Sequence, residues 1–385
     1  MLRIIAVLLL CFSTAEPAQI QPCTATDTAS IQATLDACAG QTVHIAPGTY
    51  SDVDPLFVAA GTTLEVQAGA TLVATENPAA YARPDGENNG LYALINAANA
   101  SNVSLTGEGT IDGNGASWWA RTRAAQQAGT PDPPRPRLVA FDDCTHARIV
   151  GVTLTNSPSF HIVLRRCTDV DVDSVTIIAP ADSPNTDGVD PMSSQDVRIL
   201  NSTIDSGDDN IAVKASPGSS SGIDVENCTF LHGHGVSIGS ETTGGVSHMV
   251  VSNSTFQDTQ NGIRIKTNRR LGGPISNITY SNLAMDGVQQ PIAFADYYPD
   301  VPATGDESTE AVGQTTPRVS DVRVSNLQAS RARSAGWIVG LPEAPMYNIV
   351  LQDVTVEAFT GLTVRHAAVT MTRTRIDVVN GPEVL

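Results

Sequence analysis

With 385 residues, 41% of them hydrophobic and only 16% charged, the chain has apolar mass for a packed core and lacks the charge density of a disordered polymer. Lys and Arg number 22 against 40 Asp and Glu, a formal charge of −18 that repels nucleic-acid phosphates and anionic lipid and so argues against nucleic-acid and membrane partners. Aromatic residues make up 5% while Gly and Pro number 31 and 23, a profile of many tight turns over thin aliphatic layers.

The chain opens on an address. Met1-Leu2-Arg3, the apolar run Ile4 to Phe12 and the small residues Ser13-Thr14-Ala15 read as a secretory signal over residues 1–18, leaving residues 19–385 as one mature domain outside the cell or in a periplasm. Nine apolar residues are too few to span a bilayer. Cleavage removes Cys11 and leaves Cys23, Cys38, Cys144, Cys167 and Cys228, an odd number, so at least one thiol stays unpaired. Cys23 and Cys38 flank a helical stretch capped by Asp27 or Thr28, with Ile31, Leu35 and Cys38 on one stripe, and form the expected bridge. The absence of a CxxC motif argues against a metal site. Trp118 and Trp119, beside a Gly-rich turn, are expected to fill a gap between loops and core.

From about Cys144 onward one pattern returns: a β-branched alternating segment, Asn-Ser-Thr or a variant, an Asp/Gly-rich turn, then a second alternating segment. Asn201, Asn227 and Asn253 mark three copies, 26 residues apart, and looser copies extend to Ile349–Val356. A period of 20 to 30 residues with short strands and no helical stripe predicts an all-β fold, a single parallel β-helix whose coils stack an aliphatic column. The sequons at Asn102, Asn201, Asn227, Asn253 and Asn277 are read as stacked turn residues, since Asn tolerates the left-handed conformation and bonds neighbouring backbone. The stretch between Tyr298 and Pro317 breaks the period and is expected to be a surface loop.

Stacked coils lie about 4.8 Å apart, so equivalent positions become neighbours. Aligning the strand starts Gly188-Val189, Asn210-Ile211, Gly235-Val236 and Gly262-Ile263 puts Asp187, Asp209, His234 and Asn261 in one column, with Asp208 beside Asp209. Asp190, Ala212, Ser237 and Arg264 form a second column, and strand alternation turns Lys266 to the face of Arg264. His161, one coil earlier, is read as structural. Crowded carboxylates push one another's proton affinities apart, which is what glycoside hydrolysis asks of its acid and its base. Arg264 and Lys266 on the same face disfavour a calcium site. With Arg269 and Arg270 they concentrate four cations within seven residues, the signature of a clamp for substrate carboxylates and hence of an acidic sugar.

These residues resemble the pectin-degrading glycoside hydrolases typified by polygalacturonase, glycoside hydrolase family 28. Four motifs of that family stand here in order as Asn185-Thr186-Asp187, Gly207-Asp208-Asp209, Gly233-His234-Gly235 and Arg264-Ile265-Lys266, with Gly109-Thr110-Ile111-Asp112-Gly113 upstream. The resemblance runs from about Asp27 to Tyr298 and more loosely to about Arg373. It implies a right-handed coil, Asp208 as general acid, Asp187 and Asp209 holding and deprotonating the attacking water, and inversion at the anomeric carbon. It further implies that His234 tunes the acid, that Arg264 and Lys266 bind the galacturonate carboxylate, that Asn185 contacts substrate, and that Tyr297 or Tyr298 does so too, of which Tyr297 is chosen. No cofactor or metal is required, the partner is an acidic polysaccharide, and a monomer is expected. Inversion rests on the resemblance alone, because one-coil stacking puts Asp187 about 5 Å from Asp208 or Asp209, short of the ~6.5–9.5 Å associated with inverting enzymes. The segment Gly239 to Gly245 is more similar to end-acting members. The alternatives are a rhamnogalacturonan or xylogalacturonan hydrolase of the same family, a calcium-dependent pectate lyase, and a non-catalytic β-helix adhesin.

Overall fold

The computed structural model describes residues 23–84, 86, 90–305 and 307–385; the expected signal segment lies outside them. Short alternating segments form strands that pair in parallel with the strand one coil later, and the coils wind as a right-handed β-helix. Each coil contributes to three faces. In one coil these are Ile162–Arg165, Thr168–Asp173 and Thr176–Ile178, which lie on Val189–Met192, Gln195–Leu200 and Thr203–Asp205 of the next. Alternation decides what points inward. Val170, Val197, Ile223, Met249, Ile278, Val322 and Ile349 follow one another in register, and all are buried. Each such side chain contributes roughly 1.5–3 kcal/mol by leaving water, so a stack of β-branched residues suffices without a broad aromatic core. Phe230 on Phe256, with centroids 4.7 Å apart, is a local aromatic step in a parallel column.

The repeated Asn residues turn the coils. Asn102, Asn201, Asn227, Asn253 and Asn277 all have φ between 50° and 58°, the left-handed region that Asn tolerates. Asn227 Nδ2 donates to Asn201 Oδ1 (2.7 Å), Asn282 to Asn253 (2.9 Å) and Asn326 to Asn282 (2.8 Å), an amide ladder along the outside of the solenoid. Among the described residues, the interval from Tyr298 to Pro317 carries no strand. It is fastened down by Arg365, which bonds Glu307 and the Pro302 carbonyl, and by Arg269.

At the first coil, Asp27 accepts from Ser30 N (3.0 Å) and starts a short 3-10 turn, Thr28–Ser30, that leads into the helix Ile31–Ala37. Ile31 and Leu35 are buried against the end of the column, so the helix caps it. Cys23 and Cys38 form the expected disulfide, while Cys144, Cys167 and Cys228 are buried thiols. The bridge closes a loop of 15 residues, for which chain entropy predicts about 3 kcal/mol. Cys38→Ser is therefore expected to lower unfolding stability by about that amount in a urea titration, and an unchanged midpoint would show that the helix caps without it.

A second helix, Ala116–Ala128, was not anticipated from the Trp pair. Its Ala-rich composition was the available signal, because Ala has the highest helix propensity. Trp118 and Trp119 are buried on its inner side, and Trp119 Nε1 donates to the Ser157 carbonyl at 3.1 Å. The pair does fill a gap between loop and coil.

Candidate active site

The register matches the sequence alignment: Val189, Ile211, Val236 and Ile263 are partners in successive strands. These four face the core, and the intervening Ala212, Ser237 and Arg264 face outward in register. The residues just ahead of the strands form a lip over that outer face. Thr186 shapes the lip locally: its buried hydroxyl bonds Ser183 Oγ (2.6 Å) and accepts from Gly207 N (2.9 Å), tying the Asp187 turn to the Asp208 turn. Gly207 is required there, since a Cβ would stand 2.3 Å from the Ser183 carbonyl oxygen. Gly235, at φ 78°, meets a similar limit at the Asn261 carbonyl, 2.1 Å away.

Asp209 is buried and held by three donors. Lys266 Nζ lies 2.5 Å from its Oδ2, Ser237 Oγ 2.8 Å from its Oδ1, and Arg264 Nη1 3.5 Å from the same oxygen. Asp208 stands at the open edge: His234 Nδ1 is 2.9 Å from its Oδ1, and Asn185 Nδ2 donates to its Oδ2 at 3.3 Å. Asn185 is itself held by Arg135, whose Nη2 donates to Asn185 Oδ1 at 2.7 Å. No sequence pattern pointed to Arg135, which comes from a Pro-rich loop outside the repeat. Asp187 is buried with Asp190, and Lys214 Nζ reaches both, 3.4 Å from Asp187 Oδ2 and 2.5 Å from Asp190 Oδ2. Lys214 was also missed, although it follows directly on the strand Ile211–Val213, on the outward parity. His161 holds the Asp187 backbone: its own N–H and its Nδ1 both reach the Asp187 carbonyl (2.8 and 3.0 Å), and burial takes the ring down to about 4. The structural reading of His161 stands.

The electrostatics separate the acids. Burial, then the charge of Asp190, raises Asp187 well above the usual carboxylate range against the pull of Lys214. Burial likewise raises Asp190, to about 6, again opposed by Lys214. At Asp208 burial acts upward too, but the hydrogen bond and charge of His234, with Lys266 and the Asp209 N–H, outweigh it and bring the carboxyl down to about 2. Asp208 is the accessible member: its side chain is 21% exposed, against 5% for Asp187 and 1% for Asp209.

The two Tyr candidates point to different cations. The Tyr297 ring lies 5.5 Å from the Arg269 guanidinium. The Tyr298 ring lies 5.9 Å from Arg264 and 5.4 Å from Lys266, because its N–H bonds the Thr267 carbonyl and turns the ring back over the preceding coil. The four-cation cluster also divides. Arg264 and Lys266 reach the acids, Arg269 pairs with Glu343 (2.6 Å) and binds the Ser308 carbonyl, and Arg270 is exposed. Asp208, Asp209 and His234 offer ligand atoms within 4.8 Å of one another, the spacing of a metal site. Both Asp209 oxygens already face Lys266 or Arg264, so the residues do not suit a cation.

A partly accessible carboxyl beside two sealed ones, on a β-helix, is an arrangement that suits a glycoside hydrolase. The comparisons agree. The model described as glycosyl hydrolases family 28 matches residues 42–373. An endo-polygalacturonase of Pectobacterium carotovorum subsp. carotovorum is 34% identical over 296 residues, covering 71% of this chain and 72% of that protein. The polygalacturonase from Erwinia carotovora ssp. carotovora superposes with a TM-score of 0.72 at 28% identity, over 97% of this chain and 99% of that one. The hyperthermoactive exopolygalacturonase from Thermotoga maritima superposes with a TM-score of 0.79 over 91% and 88%, at 23% identity a likeness of fold alone. The chain belongs to glycosyl hydrolases family 28 and is a glycoside hydrolase.

Proposed function

We propose that the protein hydrolyses the α-1,4 bond between galacturonate units of polygalacturonate with inversion, as a secreted monomer without a metal. The observation that carries this reading is Asp208, the most accessible of the three acids, beside an Asp209 held by Arg264 and Lys266, with the Tyr298 ring next to those two cations. The two cations and the aromatic ring receive the sugar carboxylate, and Asn185 contacts the sugar beside the acid. Asp208 gives its proton to the glycosidic oxygen as the bond to the anomeric carbon breaks. Water held by Asp187 and Asp209 adds to the opposite face of that carbon and gives its proton to Asp187, whose raised proton affinity suits a base.

The proton affinities run opposite to these roles, with Asp208 low and Asp187 high. Accessibility supports the assignment, since Asp208 is open to a leaving oxygen and the other two acids are sealed. Docking of the leaving oxygen favours the protonated form of Asp208, because the neutral carboxyl donates to that oxygen whereas a carboxylate would repel it. After turnover Asp208 regains a proton from solvent and Asp187 gives one up.

Incubation with polygalacturonate tests the reading. Reducing ends should rise without the absorbance of an unsaturated product, and a chelator should leave the rate unchanged. Unsaturated ends or chelator sensitivity would point to a lyase, and cleavage confined to rhamnogalacturonan or xylogalacturonan to another activity of the family. End-on attack, favoured by Gly239 to Gly245, predicts monomer from the earliest times; mixed oligomers would mean internal cleavage.

A further inference from the structure

Resting on the roles just given, we propose that Lys214, gripped by Asp190, is the positioning residue that keeps Asp187 ionised and aimed as the base. Neither Lys214 nor Asp190 belongs to the motif triplets, and neither needs to touch the sugar.

The fold supplies the argument. Lys214 pairs with Met192 in the coil before, and Gly239 pairs with Lys266 in the coils after, so the two lysines occupy one outward row of the sheet two coils apart. Lys266 serves Asp209, at 2.5 Å. Lys214 serves Asp187 and Asp190, at 3.4 and 2.5 Å. Each sealed acid of the water-holding pair therefore has its own buried ammonium. Lys214 is committed to this task, because its Nζ also sits 4.2 Å from the centre of the Phe160 ring, a cation–π contact on its remaining side.

The contacts are one-sided in a way that suits a base. Lys214 holds Oδ2 of both carboxyls, whereas Oδ1 of Asp187 and Oδ1 of Asp190 are buried without a hydrogen-bond partner among the described residues. An unpartnered carboxylate oxygen in a buried site costs free energy unless something binds it in function. For Asp187 Oδ1 that something is the attacking water. Without the ammonium, Asp187 would face Asp190, Asp208 and Asp209, with Lys266, Arg135 and Arg137 as the other charges that interact with it. Glu241 faces Lys214 from the following coil and adds to the acids around it.

The two residues act on Asp187 with opposite signs, and that separates this role from a merely structural one. An acid raised by its surroundings is protonated, and useless as a base, below its shifted pKa, so it sets the acid limb of the pH profile. Removing a cation at this range moves such a carboxyl up by about one to three pH units. Lys214→Met should therefore shift the acid limb of kcat upward by at least about one unit, a roughly tenfold loss at a fixed pH on the limb, with KM little changed. Asp190→Asn removes the nearest like charge and should shift the same limb downward. Lys214→Arg keeps the charge and should restore the wild-type limb.

Profiles that superimpose on wild type after scaling, or that move in the same direction, overturn the inference. Should Lys214→Met fail to fold, the downward shift in the near-isosteric Asp190→Asn carries the test, and its absence overturns the inference equally. A readout free of turnover is the carboxyl 13C titration of Asp187, assigned by its loss in Asp187→Asn. An Asp187 titration unmoved by either variant overturns the inference even if polygalacturonate is cleaved. Opposite shifts in an enzyme that leaves polygalacturonate intact uphold the pair and overturn the substrate assignment instead.

Discussion

Asp208→Asn is expected to abolish release of reducing ends from polygalacturonate while leaving the fold intact. The amide matches the carboxyl in shape, keeps an oxygen for His234 Nδ1 at the present 2.9 Å, and sits at a side chain already 21% exposed, so little packing is disturbed. What it lacks is a proton to give. A positioned general acid contributes about 10²–10⁴-fold, and the loss should appear in kcat with KM close to wild type. The pH profile gives a second check. Activity needs a proton on Asp208 and none on Asp187, so wild-type turnover should fall on the acid side as Asp187 protonates and on the alkaline side as Asp208 loses its proton. Asp208→Asn should leave no alkaline limb in any residual rate. Turnover within a few-fold of wild type would remove Asp208 from the mechanism.

Lys266→Met should damage both stability and binding. Asp209 is buried, and its best partner is Lys266 Nζ at 2.5 Å; the variant leaves it with Ser237 and a longer contact to Arg264. Deleting one member of a buried ion pair strands the other, at a cost on the order of 3–5 kcal/mol. A fall of that size in urea unfolding is expected, together with a raised KM for an acidic substrate. Arg264→Ala is the contrast: its guanidinium is more exposed and its contact to Asp209 longer, so the expected result is weakened binding with a nearly wild-type unfolding midpoint. A Lys266→Met protein as stable as wild type would mean that Asp209 does not depend on the ammonium.

How much of this was legible beforehand follows from periodicity. Strand starts recur at fixed places relative to Gly188, Asn210, Gly235 and Gly262, so the column holding Asp187, Asp209 and His234 could be read from the chain and is reproduced by the register. The stacked Asn turns were readable for the same reason, although their amides bond one another and not the neighbouring backbone, and the Cys23–Cys38 bridge was readable from the short helix between the two cysteines. Where the repeat stops, reading stops. Arg135 reaches Asn185 from an irregular Pro-rich loop, and no spacing rule connects residues 50 apart through such a segment. Tyr297 and Tyr298 follow the end of the strand Gln290–Ala295, beyond which alternation no longer assigns faces, so spacing could not say that the ring beside Lys266 is that of Tyr298. Lys214 is different: it lay within the repeat, on the parity of Ala212, and was passed over because the alignment ended one residue pair too early. The helix Ala116–Ala128 has a single apolar cluster and an otherwise polar face, too weak a stripe to compete with the flanking β pattern.

The unequal length of the coils has a further consequence. From Val189 to Ile211 a full turn of the solenoid takes 22 residues, from Ile263 to Ile292 it takes 29, and from Ile292 to Gly336 it takes 44, yet each pair meets as strand partners. Surplus chain is discharged sideways at the bends, and the ladder resumes as though nothing had intervened. The reactive floor and the terrain around it are thus separately heritable: a lineage can lengthen, trim or exchange its bends, and so recast which polymers gain entry, while the acids keep their spacing.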